Sequence, residues 1–310
     1  MAISRANQLK ELVPGLNSLY GLEYARYAEE WKAIFETESS ERAFEEEVKL
    51  VGFGAAPVKN EGTGVTYDVA QESYVSRYTM ETIALAFSIT EEAMEDNLYV
   101  SVSQRYTKAL ARSMAYTKNI KGSAVLNNAF SGSYLGGDGV SLCGVNSGSS
   151  RVGHPLYSGG VNYNSPATAV DLNETSLEAA LIAIGGWTDE RGLLIAAKAK
   201  ELVLPLALQF VGERLMKTAL RTATADNDIN AIKSMNAVPM GYSVNHWLTD
   251  TNAWFVKTDI PDGLKHFQRI AMTTKMEGDF DTGNVKYKAR ERYVFGYSDP
   301  LSIWGSSGSS

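Results

Sequence analysis

The sequence predicts an α+β fold, and three stretches predict it. Glu41–Tyr74 has two strand-like ends broken in the middle by Gly52, Gly54, Pro57, Gly62 and Gly64, a helical stripe follows Thr90, and the last third mixes helix-like with strand-like runs. The run that closes it, "VKYKARERYVFGYSDP" (Val285–Pro300), is the clearest strand. With period two, Val285, Tyr287, Ala289, Glu291, Tyr293, Phe295 and Tyr297 share one face, and Lys286, Lys288, Arg290 and Arg292 share the other. A nearly apolar face backed by a row of cations marks a half-buried sheet strand.

Taken in order, Met1–Ser40 has no long clean period and reads as an arm with one or two short helices around Leu16–Tyr27. If each arm of the following hairpin runs about ten residues, the hairpin reaches roughly 33 Å. A lone two-stranded ribbon is marginal in water, so its faces are expected to lie on another surface, a second copy of the chain included. "YTMETIALAFSIT" (Tyr78–Thr90) adds a second strand-like stretch. Thr90 is placed to cap a helix with Glu91, Glu92 and Glu95 in its first turn. Met94, Leu98, Val102, Tyr106, Ala109, Tyr116 and Ile120 then recur at helical spacing, giving a helix of about thirty residues, or about 45 Å.

From Gly122 to Asn173 charge nearly vanishes and Gly, Ser and Asn crowd in, which predicts a long connection with little regular structure. "TSLEAALIAI" (Thr175–Ile184) restarts a helix, with Thr175 and Glu178 in capping-box spacing. "LLIAA" (Leu193–Ala197) is expected to be a buried strand, "PLALQFVGERLMKTAL" a helix with Pro205 in its first turn, and "AWFVKTD" (Ala253–Asp259) a strand.

Composition narrows the function. The chain has 310 residues, 44% hydrophobic and 21% charged, the balance of a folded chain with a sizeable core. A net charge of −7 disfavours a dedicated nucleic-acid binder. The longest apolar run, Leu202–Val211, is about half a membrane span and contains Pro205, so no membrane partner is expected. The N-terminus shows no secretory leader pattern. Cys143 is the only cysteine, which excludes an intrachain disulfide and a multi-cysteine metal site.

Catalytic signals are sparse. His154, His246 and His266 are far apart and none has a metal-ligand spacing; hydrolase, nucleotide and dinucleotide motifs are absent. In "EGDFDTGN" (Glu277–Asn284), Asp279, Asp281 and Gly283 match the start of a calcium loop, but Arg290 stands where the bidentate Glu belongs. "DTG" (Asp281–Gly283) is also the tripeptide of an aspartic-protease dyad, which would require a symmetric partner; a homodimeric aspartic hydrolase is the alternative of another class. An Asp/Gly turn explains the same residues. Lys59 and Asn60 would form an isopeptide crosslink only beside an acid that the sequence does not place. No catalytic residue, cofactor or metal is expected. The row Lys286, Lys288, Arg290 and Arg292 is either the solvated face of a sheet or an intersubunit contact for acids such as Glu45, Glu46 and Glu47.

Four longer strings carry a resemblance: "FGAAPVKNEGTGVTYD" (Phe53–Asp68), "ADNDIN" (Ala225–Asn230), "TDTNAWFVKTDIPDGLKHF" (Thr249–Phe267) and "EGDFDTGNVKYKARERYVFGYSDP" (Glu277–Pro300). With the order of parts, they make the chain similar to the major capsid (head) subunits of Mu-like tailed phages and prophages. The resemblance implies the tailed-phage capsid fold named for the Hong Kong ninety-seven phage. It assigns an N-terminal arm to 1–43, an extended loop (E-loop) lying over an adjacent subunit to 44–89, and a peripheral domain with a spine helix to 90–173. The axial domain takes 174–274, return strands of the peripheral domain 275–304, and a flexible tail 305–310. The implied activity is self-assembly into hexamers and pentamers of an icosahedral shell around double-stranded DNA, in a virion assembled in the host cytoplasm. Because the chain starts directly with the arm, a separate scaffolding protein is implied, with a portal and a decoration protein as further partners. An encapsulin-like compartment around protein cargo is the nearer alternative.

Overall fold

A computed structural model describes residues 5–95, 99–144, 151–220, 228–279 and 282–309, with side chains outside 5–14, 94–95 and 99–102. The arm is one helix, α1 (Arg5–Arg26), then a single turn, α2 (Trp31–Ile34), and a short strand, β1 (Glu36–Ser39). The predicted hairpin forms as β2 (Phe44–Val51) and β3 (Gln71–Thr79), antiparallel, with residues 52–70 between them outside regular structure. β4 (Glu81–Ile89), which the resemblance grouped with the extended loop, leaves the ribbon after Met80 and joins the sheet of the body.

Thr90 caps α3 (Glu91–Glu95) as its sequence predicts, accepting from the Ala93 amide at 3.4 Å. The long helix is α4 (Tyr99–Asn127), and here the period is right but the face is wrong. Leu110, Ala111, Met114, Ala115 and Leu126 are buried, whereas Tyr106 and Tyr116 are about half exposed and Ile120 lies at the same outer surface. Leu98 lies outside the described residues, as do the side chains of Met94 and Val102. The reason is close approach: a Cβ on Gly122 would stand 2.8 Å from the Trp31 Cβ, so only small residues fit where α4 meets α2.

The connection after α4 contains β5 (His154–Pro155) and β6 (Val161–Asn162), a two-residue ribbon. α5 (Glu174–Gly185) follows, and its capping box is Asn173 with Ser176 (2.8 Å and 2.9 Å), two residues earlier than Thr175/Glu178. Leu193–Ala197 is no strand, and Leu194 is well exposed. The buried strand is β7 (Ala199–Pro205), which ends on Pro205; one 3-10 turn separates it from α6 (Gln209–Lys217). The remaining elements are α7 (Ala231–Ser234), β8 (Tyr242–Asn245), β9 (Trp254–Thr258), β10 (Leu264–Gly278), β11 (Val285–Tyr297) and β12 (Ile303–Ser306).

Two four-stranded sheets organise the body: β1-β10-β11-β4, antiparallel except β1, and β12-β9-β7-β8, antiparallel except β8. The second is covered on both faces. Leu202, Leu204, Trp254 and Val256 pack toward α5 and Trp304, while Val203 and Phe255 pack toward Trp31, Phe35 and Leu126. Strands buried on both faces read as near-continuous apolar runs, as "ELVLP" does. In the first sheet the odd face of β11 lies under α1 and α4, with Tyr287 and Ala289 against Leu16, Tyr20 and Met114. The chain does not run free after Trp304, as the expected tail would: Gly305 and Ser306 complete β12, the Gly305 amide reaches Asn164 O at 2.9 Å, and Ser309 bonds Asp171. No described helix is long and apolar enough to cross a membrane.

Candidate assembly surfaces

Strand alternation divides the ribbon into two faces. Glu45, Glu47, Lys49 and Val51 of β2, with Tyr74, Ser76 and Tyr78 of β3, turn toward the body; Phe44, Glu46, Val48, Leu50 and Val75 turn outward. The three consecutive acids therefore do not form one patch. Glu45 accepts from Ser40 Oγ (2.6 Å), Glu46 pairs with Arg77 (3.6 Å) across the ribbon, and Glu47 meets Lys265 and Ser298. The outward face is apolar in its middle, with Val48 directly opposite Val75.

The inward face is fastened along its length. Lys265 of β10 is almost fully buried and its ammonium sits among three carboxylates, Glu38 (2.9 Å), Asp262 (2.9 Å) and Glu47. Those three acids come close enough together for a metal site, but Lys265 already supplies the cation. Burial alone would lower its pKa; the hydrogen bonds it donates to Glu47, Glu38 and Asp262 outweigh that and hold the ammonium above its usual range. Further out, Lys49 pairs with Asp299, and the Tyr74 hydroxyl donates to Ser298 O at 3.1 Å. Where the ladder ends, Arg191 donates to Gly52 O (3.1 Å) and Val69 O (2.9 Å), bridging the two arms.

The predicted tip glycines do different things. Gly62 has φ +80° in a turn where the Thr63 amide reaches Asn60 O at 3.2 Å, and the Gly54 amide donates to Asp68 at 2.8 Å. Gly52 offers its carbonyl to Arg191, and Gly64 stands in open space.

On the far side of the first sheet lies the basic row. Lys286 and Lys288 are exposed, Arg290 and Arg292 half-buried. β4 offers them only Ser88, Ala86, Ala84 and Thr82, and Lys275 of β10 stands directly opposite Lys288. Like charges opposed across a sheet destabilise it, and here Glu277 offsets part of that cost by pairing with Lys275 within the field of Lys288. Lys286 bonds Asp279 at 2.6 Å; among the described residues no ion pair reaches Lys288, Arg290 or Arg292, and none joins this row to Glu45–Glu47.

One ion pair is buried on both sides and was only faintly marked in the sequence. Lys118 of α4 meets Glu291 of β11 at 3.0 Å with both side chains buried, and Tyr24 of α1 donates to the same carboxylate at 2.9 Å. One signal was present: Glu291 is the single acid in the apolar row of β11. Lys265, Arg191 and Ser298 had no such signal, because each acts through residues far away in sequence.

The histidines stand apart from one another. His154 lies between Asp138 (2.5 Å) and Asn164 (3.2 Å), His246 faces Glu30 (2.7 Å), and His266 is stacked on Phe295 beside Trp31. Burial, then the charges of Lys118 and Lys32, push His266 down to about 3 and keep it neutral. Burial raises the Cys143 thiol. Asp281, on which the hydrolase alternative depends, lies outside the described residues, as do Ala225–Asn227 of the "ADNDIN" string.

A ribbon pinned at its base, a doubly covered sheet and a long helix on a second sheet define a shell-subunit architecture. The profile of the phage capsid protein family matches residues 73–305, and the chain belongs to that family. No curated protein sequence matches it. Its fold is similar to the capsid of an empty GTA particle (TM-score 0.55, 14% identity, 90% of this chain and 89% of that one). It is also similar to a virus-like particle from Pyrococcus furiosus (TM-score 0.51, 10% identity, 94% and 98%) and to the capsid of Myoviridae phage XM1 (TM-score 0.51, 8% identity, 89% and 89%). The fold is thus the one named for the Hong Kong ninety-seven phage, and the protein is a structural subunit that associates with its own copies into a virion shell.

Proposed function

We propose that the chain is the major head subunit of a Mu-like tailed phage, forming hexamers and pentamers of an icosahedral shell that holds double-stranded DNA and is assembled in the host cytoplasm. The observation that supports this best is the ribbon: stabilised on one face by its own body, it presents Val48, Leu50 and Val75 outward, all at least two-fifths exposed, with Phe44 beside them under Arg77. A second copy is the natural cover. The basic row supplies orientation, since Lys288, Arg290 and Arg292 await an acidic partner surface; with Glu45 and Glu47 turned inward, Glu46 is the one of the three acids that faces outward. Each contact can be as weak as about 4 kcal/mol and still close a shell, because every copy makes several at once. The net charge of −7 disfavours sticking between protein and packaged DNA. A separate scaffolding protein, a portal and a decoration protein complete this reading, which assigns the chain no catalytic step.

Electron microscopy with sedimentation of the purified protein, coexpressed with its neighbouring genes, tests it. Closed shells of uniform diameter with five- and six-fold capsomers are expected; discrete monomers or dimers under all conditions would overturn it. The likeness to a virus-like particle favours one second reading, a shell around protein cargo, which particles devoid of nucleic acid would support. Lys288→Glu with Arg290→Glu should leave folding within about 0.5 kcal/mol of the parent yet reduce shell yield, read by sedimentation.

A further inference from the structure

One long stretch of this acidic chain holds none of its 36 acids. Through the 29 residues of α4 the only charged side chains are Arg105, Lys108, Arg112, Lys118 and Lys121. Two of these are neutralised within the subunit, Lys118 by Glu291 and Lys121 by Glu81. Arg105, Lys108 and Arg112 are exposed, and among the described residues no ion pair reaches them.

Their spacing makes them one surface. Positions i, i+3 and i+7 return to the same side of a helix, here over about 10 Å of its axis. That side is opposite Leu110, Ala111 and Met114, which lie on Tyr287 and Ala289. The bulky rings beside the row are already engaged by the chain itself, Tyr106 with Phe87 (5.8 Å) and Tyr116 edge-on to Trp247 (5.0 Å). Protein interfaces place apolar anchors at the centre and charges at the rim. This face has the reverse order, with cations and the small Ala109 in the middle and aromatic rings at the sides. Such a face fits a polyanion of regular charge, and the guanidinium forks of Arg105 and Arg112 match phosphate oxygens. Duplex DNA offers one phosphate charge per about 1.7 Å, hence about six along the row.

The two basic surfaces of the subunit stand on opposite sides of the first sheet. α4 covers the odd face of β11, and Lys288, Arg290 and Arg292 occupy the even face. A sheet in the wall of a shell turns one side to the contents and the other away. We propose that the Arg105, Lys108 and Arg112 face of α4 turns inward and contacts the phosphate backbone of the enclosed nucleic acid. This rests on the shell reading above and names the surface that meets the contents. The net charge of −7 does not oppose it, because acids more than about 8 Å away are screened at physiological salt.

Lysine footprinting tests it, with a small acetylating reagent applied to DNA-filled and to DNA-free particles. Lys108 should react several-fold more slowly in the filled particles, read by mass spectrometry of its peptide, while Lys288 reacts alike in both. Equal reactivity of Lys108 overturns the contact and leaves the shell reading intact. Protection of Lys108 in both kinds of particle gives the face to a protein partner and overturns it too, as do particles that never hold nucleic acid. If no particle forms, the shell reading falls and the soluble chain decides the surface. Its binding to duplex DNA, followed by anisotropy at rising salt, should then lose about 2.7 from the log–log salt slope in Arg105→Gln/Lys108→Gln/Arg112→Gln. All three positions are exposed and Gln is a good helix former, so the variant keeps α4, and an unchanged slope would overturn the contact.

Discussion

The ribbon and the β12-β9-β7-β8 sheet are built from similar strand-forming residues, yet they meet opposite fates. β7 is buried at every position but one, while β2 is half exposed along its length. The sheet is complete in one copy, because α5 covers one face and α2 with α4 covers the other. The ribbon has a body beneath it and, among the described residues, no element packed above it. Where the sheet is held by apolar area, the ribbon is held by specific polar clasps, Lys265–Glu47, Lys49–Asp299 and Arg191 on two carbonyls. A shell subunit profits from that division: a core that does not depend on partners, and an arm whose second face is left to them.

The contrast can be broken most forcefully at the sheet. Trp254→Ala should cost about 3–5 kcal/mol of stability, measured by denaturant unfolding, since Trp254 is fully buried against Trp304 and donates to Val170 O at 3.0 Å. Next comes the buried pair: Glu291→Gln leaves Lys118 uncompensated and should cost about 3 kcal/mol or more, whereas Glu291→Leu with Lys118→Met should lie closer to the parent. A double variant as unstable as the single would show that the site needs its charges.

Protonation offers a smaller, graded probe. His266 is depressed to about 3 in the folded state, so its stabilising contribution is fully present above the unfolded value near 6.5 and is lost as pH falls toward 3. One pH unit below 6.5 should remove about 1.4 kcal/mol, and His266→Phe should flatten that part of the pH profile. The smallest effect sharpens the comparison from the ribbon side. Arg191→Ala should change global unfolding by less than about 0.5 kcal/mol while speeding amide exchange near Gly52 and Val69. Unchanged exchange would show that the clasp does not restrain the tip.

How much was legible in advance follows the range of the forces. The odd face of β11 is buried from Val285 to Tyr293 and its even face exposed or half-buried as its period predicts, and the Thr90 cap falls where Ser/Thr chemistry put it. The face of α4 was misjudged because bulky apolar residues outweighed small ones in the pattern. Close packing selected small residues instead, Ala111 in the cluster of Tyr20 and Tyr287 and Gly122 beside Trp31, and left Tyr106 and Tyr116 outside. Leu193–Ala197 has strand composition but pairs only through a single bridge, Leu194 with Thr188, at the turn after Trp187. The acids Glu45–Glu47 looked like one patch because charge was counted along the chain, whereas a strand separates neighbours to opposite faces.

The sequence by itself determined what local rules govern: the α+β class, the hairpin with its turn-rich tip, the amphipathic closing strand, and a family likeness spread over long strings. Tertiary structure alone decided which face of α4 is buried and which cation fills the carboxylate cage of Glu38, Glu47 and Asp262. Those outcomes depend largely on contacts between residues far apart in the chain, such as Trp31 with Gly122 and Glu47 with Lys265, and no period or composition encodes which distant partner arrives.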